Sequence, residues 1–183
     1  FKPLIDMVFG IVSLVVLSPI LVGAALAILI EDGRPIFFVH ERIGKGGRPF
    51  QIMKFRSMEK NSRILPSADA SDLRTTRVGR VIRRLNIDEL PQLFNVIRQD
   101  MSLIGPRPGL PSQTDLHNSR HANGSIELRP GISGLAQINS YDGMTVDEKA
   151  AWDGRYAETI SFVTDVKIVS STIGYLRKRP PAY

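Results

Sequence analysis

The sequence predicts a small α+β domain, with a short β-hairpin and several helices, carried on an N-terminal membrane element. Three observations lead there. From Met7 to Ile30 no residue is charged. Residues 36–43 and 49–58 are rich in β-branched and aromatic side chains and flank the glycine cluster Gly44-Lys45-Gly46-Gly47. Further along, apolar residues recur at helical spacing, most clearly between Phe162 and Leu176.

The uncharged run comes first. As a helix its 24 residues would be roughly 36 Å long, enough to cross a hydrocarbon core. It is too long for a signal-peptide core. Ser18-Pro19 interrupts it, and proline removes a backbone donor and clashes with the preceding turn, so a bend belongs there. The freed carbonyl needs a partner in lipid, and the Ser18 hydroxyl is a candidate. Two shapes are compatible: a kinked span, the commoner arrangement, or a re-entrant hairpin that returns to the face it entered. Arg34, Arg42, Lys45 and Arg48 follow the run and favour a cytoplasmic location for the remainder.

The glycine cluster between the two β-rich segments reads as a hairpin turn. It lacks the Gly-Lys-Ser/Thr ending of a phosphate loop. Residues 60–73 are polar and read as a surface loop. Helices are expected over 74–85, 89–100, 111–123, 145–160 and 162–176, and a short strand over Leu135–Ile138. Gly105-Pro106-Arg107-Pro108-Gly109 must be a loop. The apolar face of 162–176 is expected to pack into the core, with a membrane-surface helix as the alternative.

The chain has 183 residues, 43% of them hydrophobic and 23% charged, so it can bury a core. Its net charge of +6 favours anionic partners. It has no cysteine, which excludes disulfides, zinc thiolates and a cysteine nucleophile within it.

One segment joins these themes. Arg74, Arg77, Arg80, Arg83 and Arg84 form a guanidinium stripe, with Val78, Val81, Ile82 and Leu85 as an aliphatic face. Asp88-Glu89 follows directly. Asp88 suits a helix N-cap, with Glu89 in the first turn. The same position suits phosphate chemistry, because a helix N-terminus binds anions and an ionised aspartate can attack phosphorus. Arg107, held between prolines, offers a preorganised fork for phosphate oxygens. Lys54 and Arg56 share one face of the second hairpin strand. A nucleic-acid-binding protein would explain the arginines but not the acidic pair beside them, and aromatics are sparse at 7%. His117 and His121, spaced i, i+4, are read as a surface coincidence rather than a metal pair.

At this point the sequence resembles the bacterial sugar transferases, the monotopic phosphoglycosyl transferases. The resemblance rests on the hairpin with Ser18-Pro19, His40-Glu41-Arg42-Ile43-Gly44, Lys54-Phe55-Arg56-Ser57-Met58, Arg83-Arg84 and Asp88-Glu89-Leu90-Pro91-Gln92. It continues through Met101 to Pro108 and Arg129 to Gln137.

The resemblance implies a re-entrant anchor over residues 1–31, broken at Ser18-Pro19, and a catalytic domain over 32–183 on the cytosolic face of the bacterial inner membrane. It implies that Asp88 attacks the β-phosphate of a UDP-sugar and UMP leaves. Polyprenyl (undecaprenyl) phosphate then takes the sugar phosphate from the aspartyl enzyme. It also implies Mg2+ (or Mn2+) at Asp88, catalytic roles for Glu89 and Lys54, and phosphate binding by Arg83 and Arg107, to which Arg56 and Arg129 are added as expected phosphate-binding residues. Membrane lipid is an expected partner, nucleic acid is not, and a homodimer stays open. With one apolar run, the chain resembles the minimal members. It departs from the family after Asn139, where Ser140-Tyr141 stands in place of Gly-Arg. Tyr141, Arg129 or Arg155 are candidates to supply the missing contact.

Overall fold

The computed structural model describes residues 1–59, 75–140 and 144–176. The expected loop over 60–73, and the residues Arg74 and Tyr141, lie outside them. The chain opens with two helices, α1 (Lys2–Val16) and α2 (Ser18–Asp32), bent by 61° at Leu17. Pro19 has no N–H to offer the Val15 carbonyl one turn back. The Ser18 hydroxyl takes that place, donating to Val15 O at 2.7 Å. No single helix among the described residues is long and apolar enough to cross a membrane, but the bent pair passes that test together.

The inner faces of both helices pack on the rest of the chain. Gly10 is buried against Val96 and Ile97. Ala24 and Ile28 form a core with Phe55 and Ile82. The outer faces, with Val8, Phe9, Val12, Val16, Leu26 and Ile30, are exposed. Polar ties hold the far ends of both helices to the same domain. Near the start, the Ser102 hydroxyl donates to buried Asp6 at 2.6 Å, and Lys2 meets Asp165 at 2.5 Å. At the other end, the Glu31 carboxylate accepts from the backbone N–H groups of Arg77 and Val78, both at 2.8 Å.

The hairpin forms as expected. Strands β1 (Phe37–Ile43) and β2 (Pro49–Phe55) pair antiparallel, Phe37 opposite Phe55 and Ile43 opposite Pro49. Gly46 and Gly47 turn the chain at φ of 63° and 74°, where a side chain would be strained. Helix α3 (Arg77–Arg84) follows, capped by Thr76 and by Glu31. Only part of its aliphatic face is covered: Ile82 and Val78 meet α2, whereas Val81 and Leu85 are exposed.

Next come α4 (Gln92–Ile97), β3 (Ser102–Ile104), α5 (Thr114–Ala122) and β4 (Gly131–Ser133). Strands β3 and β4 pair in parallel. Glycine lets them meet: a Cβ on Gly131 would stand 2.1 Å from the Gly105 nitrogen. The strand expected at Leu135–Ile138 is instead a helical turn, α6. Four mixed residues carry no period that separates the two, and the extended segment lies just upstream in β4.

Helix α7 (Val146–Glu158) starts at a capping box between Thr145 and Glu148. Helix α8 (Phe162–Leu176) corrects another expectation. Phe162, Val163, Val166, Val169 and Ile173 are exposed rather than buried. Asp165, Ile168 and Thr172 face inward instead, through Tyr156, the core and Ser133. Periodicity defined a face without saying which way it points.

Helices α5 and α7 are joined by an ion pair 4% and 1% exposed: Arg120 Nε and Nη2 donate to Asp153 Oδ2 at 2.9 and 2.6 Å. Removing one partner strands the other charge, so Arg120→Leu should cost about 3–5 kcal/mol. Unfolding followed by the fluorescence of Trp152, the single tryptophan, measures this. A double variant, Arg120→Met with Asp153→Leu, should regain most of the loss. Equal stability of the single variant and wild type would show that the pair contributes nothing.

Candidate active site

The acidic pair sits where α3 gives way to α4. Asn86 ends α3 with left-handed backbone, φ 54°, a conformation asparagine tolerates better than most residues. Ile87–Glu89 then form a 3-10 turn, and Pro91 caps α4. Asp88 is therefore not the helix N-cap its sequence position suggests. It lies inside a tight turn, because Asn86 redirects the chain two residues earlier.

Glu89 is the junction. Its Oε1 accepts from Lys54 Nζ at 2.6 Å and from Arg107 Nη2 at 2.7 Å. Burial alone would raise its pKa, but the charges and hydrogen bonds of Arg107 and Lys54 outweigh that and hold it far below the usual carboxylate range. Burial lowers the pKa of Lys54, with Glu89 opposing. Asp88 behaves differently. Burial, reinforced by the charge of Glu89, pushes it up to about 6, against the pull of Lys54, Arg83 and Arg107. The two neighbours thus divide: Glu89 is a fixed anion, while Asp88 titrates near neutrality.

Two residues without an assigned role in the sequence join them. Arg42 donates from Nε to His40 Nε2 at 2.7 Å and from Nη1 to the Pro108 carbonyl at 3.2 Å. Burial and the nearby cations Arg42, Lys54 and Arg107 lower the His40 pKa to about 3, so it is a neutral acceptor. Burial and Arg107 lower Arg42 only to about 10, so it stays charged. Arg42, with the bond from Ile43 N to Gly109 O at 3.0 Å, fastens the Pro-Arg-Pro loop to β1. The signal was the hairpin register. Phe38 faces Lys54, His40 faces Ile52 and Arg42 faces Phe50, so His40, Arg42 and Lys54 share one side.

Of the expected site residues, Lys54, Arg83 and Arg107 gather at Asp88 and Glu89. Arg56 has another occupation. Its Nη2 donates to the carbonyls of Asp32 and Gly33 and pairs with the Asp32 carboxylate at 2.8 Å, closing the end of α2. Its own N–H donates to the Ile36 carbonyl at 2.9 Å, next to the last pair of the hairpin. Arg129 donates to Gln99 at 2.7 Å, and Arg155 lies over the Trp152 ring. His117 is half-buried and bonded to the Leu110 carbonyl at 2.8 Å, so its role is in the fold.

Among the described residues, no group of three His, Asp or Glu forms a metal cage. Mg2+ needs none, since one or two carboxylates plus substrate phosphates commonly hold it. Glu89 Oε1 is already shared by two cations, which leaves Asp88 as the carboxylate able to take a divalent ion. The site as a whole presents a titratable carboxylate in a field of cations, an arrangement suited to a phosphate-bearing substrate.

The pattern of the bacterial sugar transferase family matches residues 1–179. The UDP-glucose:undecaprenyl-phosphate glucose-1-phosphate transferase of Caulobacter vibrioides is 39% identical over 191 residues, covering 100% of this chain and 72% of that protein. The UDP-N-acetylgalactosamine-undecaprenyl-phosphate N-acetylgalactosaminephosphotransferase of Aeromonas hydrophila is 41% identical over 180 residues, covering 92% of this chain and 41% of that protein. The sugar transferase EpsL of Bacillus subtilis is 39% identical over 176 residues, 94% of this chain and 85% of its own length. With its full-length match, and with Asp88, Glu89 and their cations assembled at one turn, the chain belongs to the bacterial sugar transferase family.

Proposed function

We propose that the protein transfers a sugar 1-phosphate from a UDP-sugar to undecaprenyl phosphate and releases UMP. The observation that carries this reading is the division between Asp88 and Glu89. Glu89 is occupied in holding Lys54 and Arg107, while Asp88 is left as a carboxylate largely ionised at neutral pH. An Asp88 oxygen attacks the β-phosphorus of the donor. The bond from that phosphorus to the bridging oxygen breaks, and UMP departs with the electron pair. An oxygen of undecaprenyl phosphate then attacks the same phosphorus and frees Asp88. Lys54, Arg107, Arg83 and Arg42 supply positive charge around the transferred group. Glu89 positions the first two and carries no proton. A divalent cation on Asp88 and the diphosphate would neutralise charge on the leaving UMP. The relatives are named for glucose and for N-acetylgalactosamine donors, and the sugar read for this chain is a hexose or an N-acetylhexosamine.

The bent pair α1–α2 is the proposed membrane anchor, entering and leaving the cytoplasmic face of the inner membrane. Support comes from the polar ties at Lys2, Asp6, Glu31 and Asp32, which hold both far ends to one domain. The outward apolar stripe of α8 is suited to rest on the same surface.

The Asp88 carboxyl has a higher pKa folded than unfolded. The stability it contributes at low pH is therefore lost as pH rises through about 6. Asp88→Asn should abolish UMP release with UDP-sugar alone and also raise the melting temperature at pH 7.5. The gain is up to roughly 3 kcal/mol and vanishes near pH 4. For wild type, kcat/KM should climb with pH through about 6. Full UMP release by Asp88→Asn would exclude Asp88 as the nucleophile.

Turnover should stop on dialysis against a chelator and return with Mg2+ or Mn2+. Undiminished turnover in chelator would mean that the four cations suffice.

Because the chain has no cysteine, Phe1→Cys and Arg34→Cys each provide one labelling site. Both should react with an impermeant thiol reagent from the cytoplasmic side only. Labelling from opposite sides would establish a spanning helix.

A further inference from the structure

Behind Arg107 runs a chain of contacts that starts at a buried histidine. His40 is 7% exposed, and the Phe38 ring stacks on it with centroids 4.9 Å apart. Among the described residues its ring has one hydrogen-bond partner, Arg42, whose Nε meets His40 Nε2 at 2.7 Å. Arg42 Nη1 donates to the Pro108 carbonyl at 3.2 Å. Arg107, the residue before Pro108, donates to Glu89 at 2.7 Å. The order of contacts is thus His40, Arg42, Pro108, Arg107 and Glu89.

The first contact is one-way. An arginine nitrogen only donates, so His40 Nε2 is the bare ring nitrogen and Nδ1 carries the proton. That Nδ1 is buried and has no acceptor among the described residues. Leaving a buried donor unpaired lowers stability, so folding alone does not explain the placement of the ring. His40 keeps its lone pair for Arg42. Burial and the cations Arg42, Lys54 and Arg107 oppose its protonation, so the acceptor persists through the neutral range.

The second contact transmits the first. A guanidinium is planar, and holding it by two of its nitrogens fixes both its plane and its rotation within that plane. Without His40, the Pro108 carbonyl would hold Arg42 alone. Pro108 follows Arg107 directly and its φ is fixed by its ring, so a swing of Arg42 carries into the loop that bears Arg107.

We propose that His40 is a positioning residue: its Nε2 lone pair sets the plane of Arg42, and Arg42, through the Pro108 carbonyl, sets where Arg107 stands. The expected effect on rate rests on the proposed sugar-phosphate transfer, whereas the tie between His40 and Arg42 does not.

The test separates the acceptor from the ring. His40→Leu removes the lone pair, and His40→Asn carries an oxygen too short to reach Arg42. Both should lower the kcat of UMP release by about ten- to hundredfold, the scale of displacing a positioned group by about 1 Å. The KM for UDP-sugar should move far less, as for groups that act mainly in the transition state. His40→Gln places an oxygen near the Nε2 position and should recover most of the loss. His40→Asn serves if His40→Leu does not fold. Arg42→Met breaks the chain of contacts one step on, so adding His40→Leu to it should cost nothing further. Full activity in His40→Leu overturns the proposal. So do additive losses in the double variant, or a His40→Gln enzyme no better than His40→Leu.

A second measurement does not depend on turnover. In 15N spectra of the imidazoles, the His40 signals are those lost in His40→Gln. They should show Nε2 unprotonated and the proton on Nδ1, and Arg42→Met should release that tautomer. A protonated Nε2 in wild type overturns the proposal. The expected tautomer in a chain that releases no UMP from any UDP-sugar would sink the proposed reaction and leave the tie standing.

Discussion

Much of this molecule is arranged around one carboxylate. Glu89 sits in a short turn, yet it holds Lys54 from the hairpin and Arg107 from the proline-bounded loop. Those segments lie 35 and 18 residues away in the chain. Three pieces of backbone converge because one anion neutralises two cations in a partly buried place. Taking those charges out of water is costly, and only close pairing offsets it. The adjacent Asp88 inherits the consequence. Its neighbour is a permanent anion and its surroundings are poor in water, so it stays less acidic than an ordinary aspartate.

The bent N-terminal helix pair is governed by a similar economy. A proline in an apolar helix frees one carbonyl, and a serine one residue earlier returns a donor to it. The bend then costs little, and two short helices replace one long one. Their charged residues are confined to the far ends, Lys2 and Asp6 at one and Glu31 and Asp32 at the other. Each of these side chains is engaged by the rest of the fold. The pair is thus a wall of the fold, and Ala24 and Ile28 complete the core that Phe55 and Ile82 begin.

What could be read from the sequence followed the range of the interactions. The hairpin, the break at Ser18-Pro19 and the helices α3, α5, α7 and α8 rest on local patterns and were legible. The parallel pair β3–β4 was not, because each strand has three residues and the partners are far apart in sequence. The site was legible in part. Asp88, Glu89, Lys54, Arg83 and Arg107 stand out as residue types that phosphate chemistry needs. His40 and Arg42 act through a cross-strand face that only register reveals. The engagement of Arg56 with Asp32 at the end of α2 is a contact between distant segments that no local pattern announces. The outward turn of α8 was hidden for a different reason: an apolar stripe records a preference for a dry neighbour but not whether that neighbour is protein.

Gly79 adds a rotational consequence. A methyl group there would fall 1.9 Å from the Ser57 carbonyl oxygen, so α3 lies flush on the backbone leaving β2. That contact works like a key in a keyway. It fixes the phase of the helix about its own axis, not merely its distance. Arg83 stands four residues on, above the same face, where its charge reaches Asp88. Arg80 and Arg84 each follow these positions by one residue and are swung about 100° away. A residue with no side chain thereby decides which guanidinium of the stripe stands close enough to act on Asp88 and which ones are turned elsewhere.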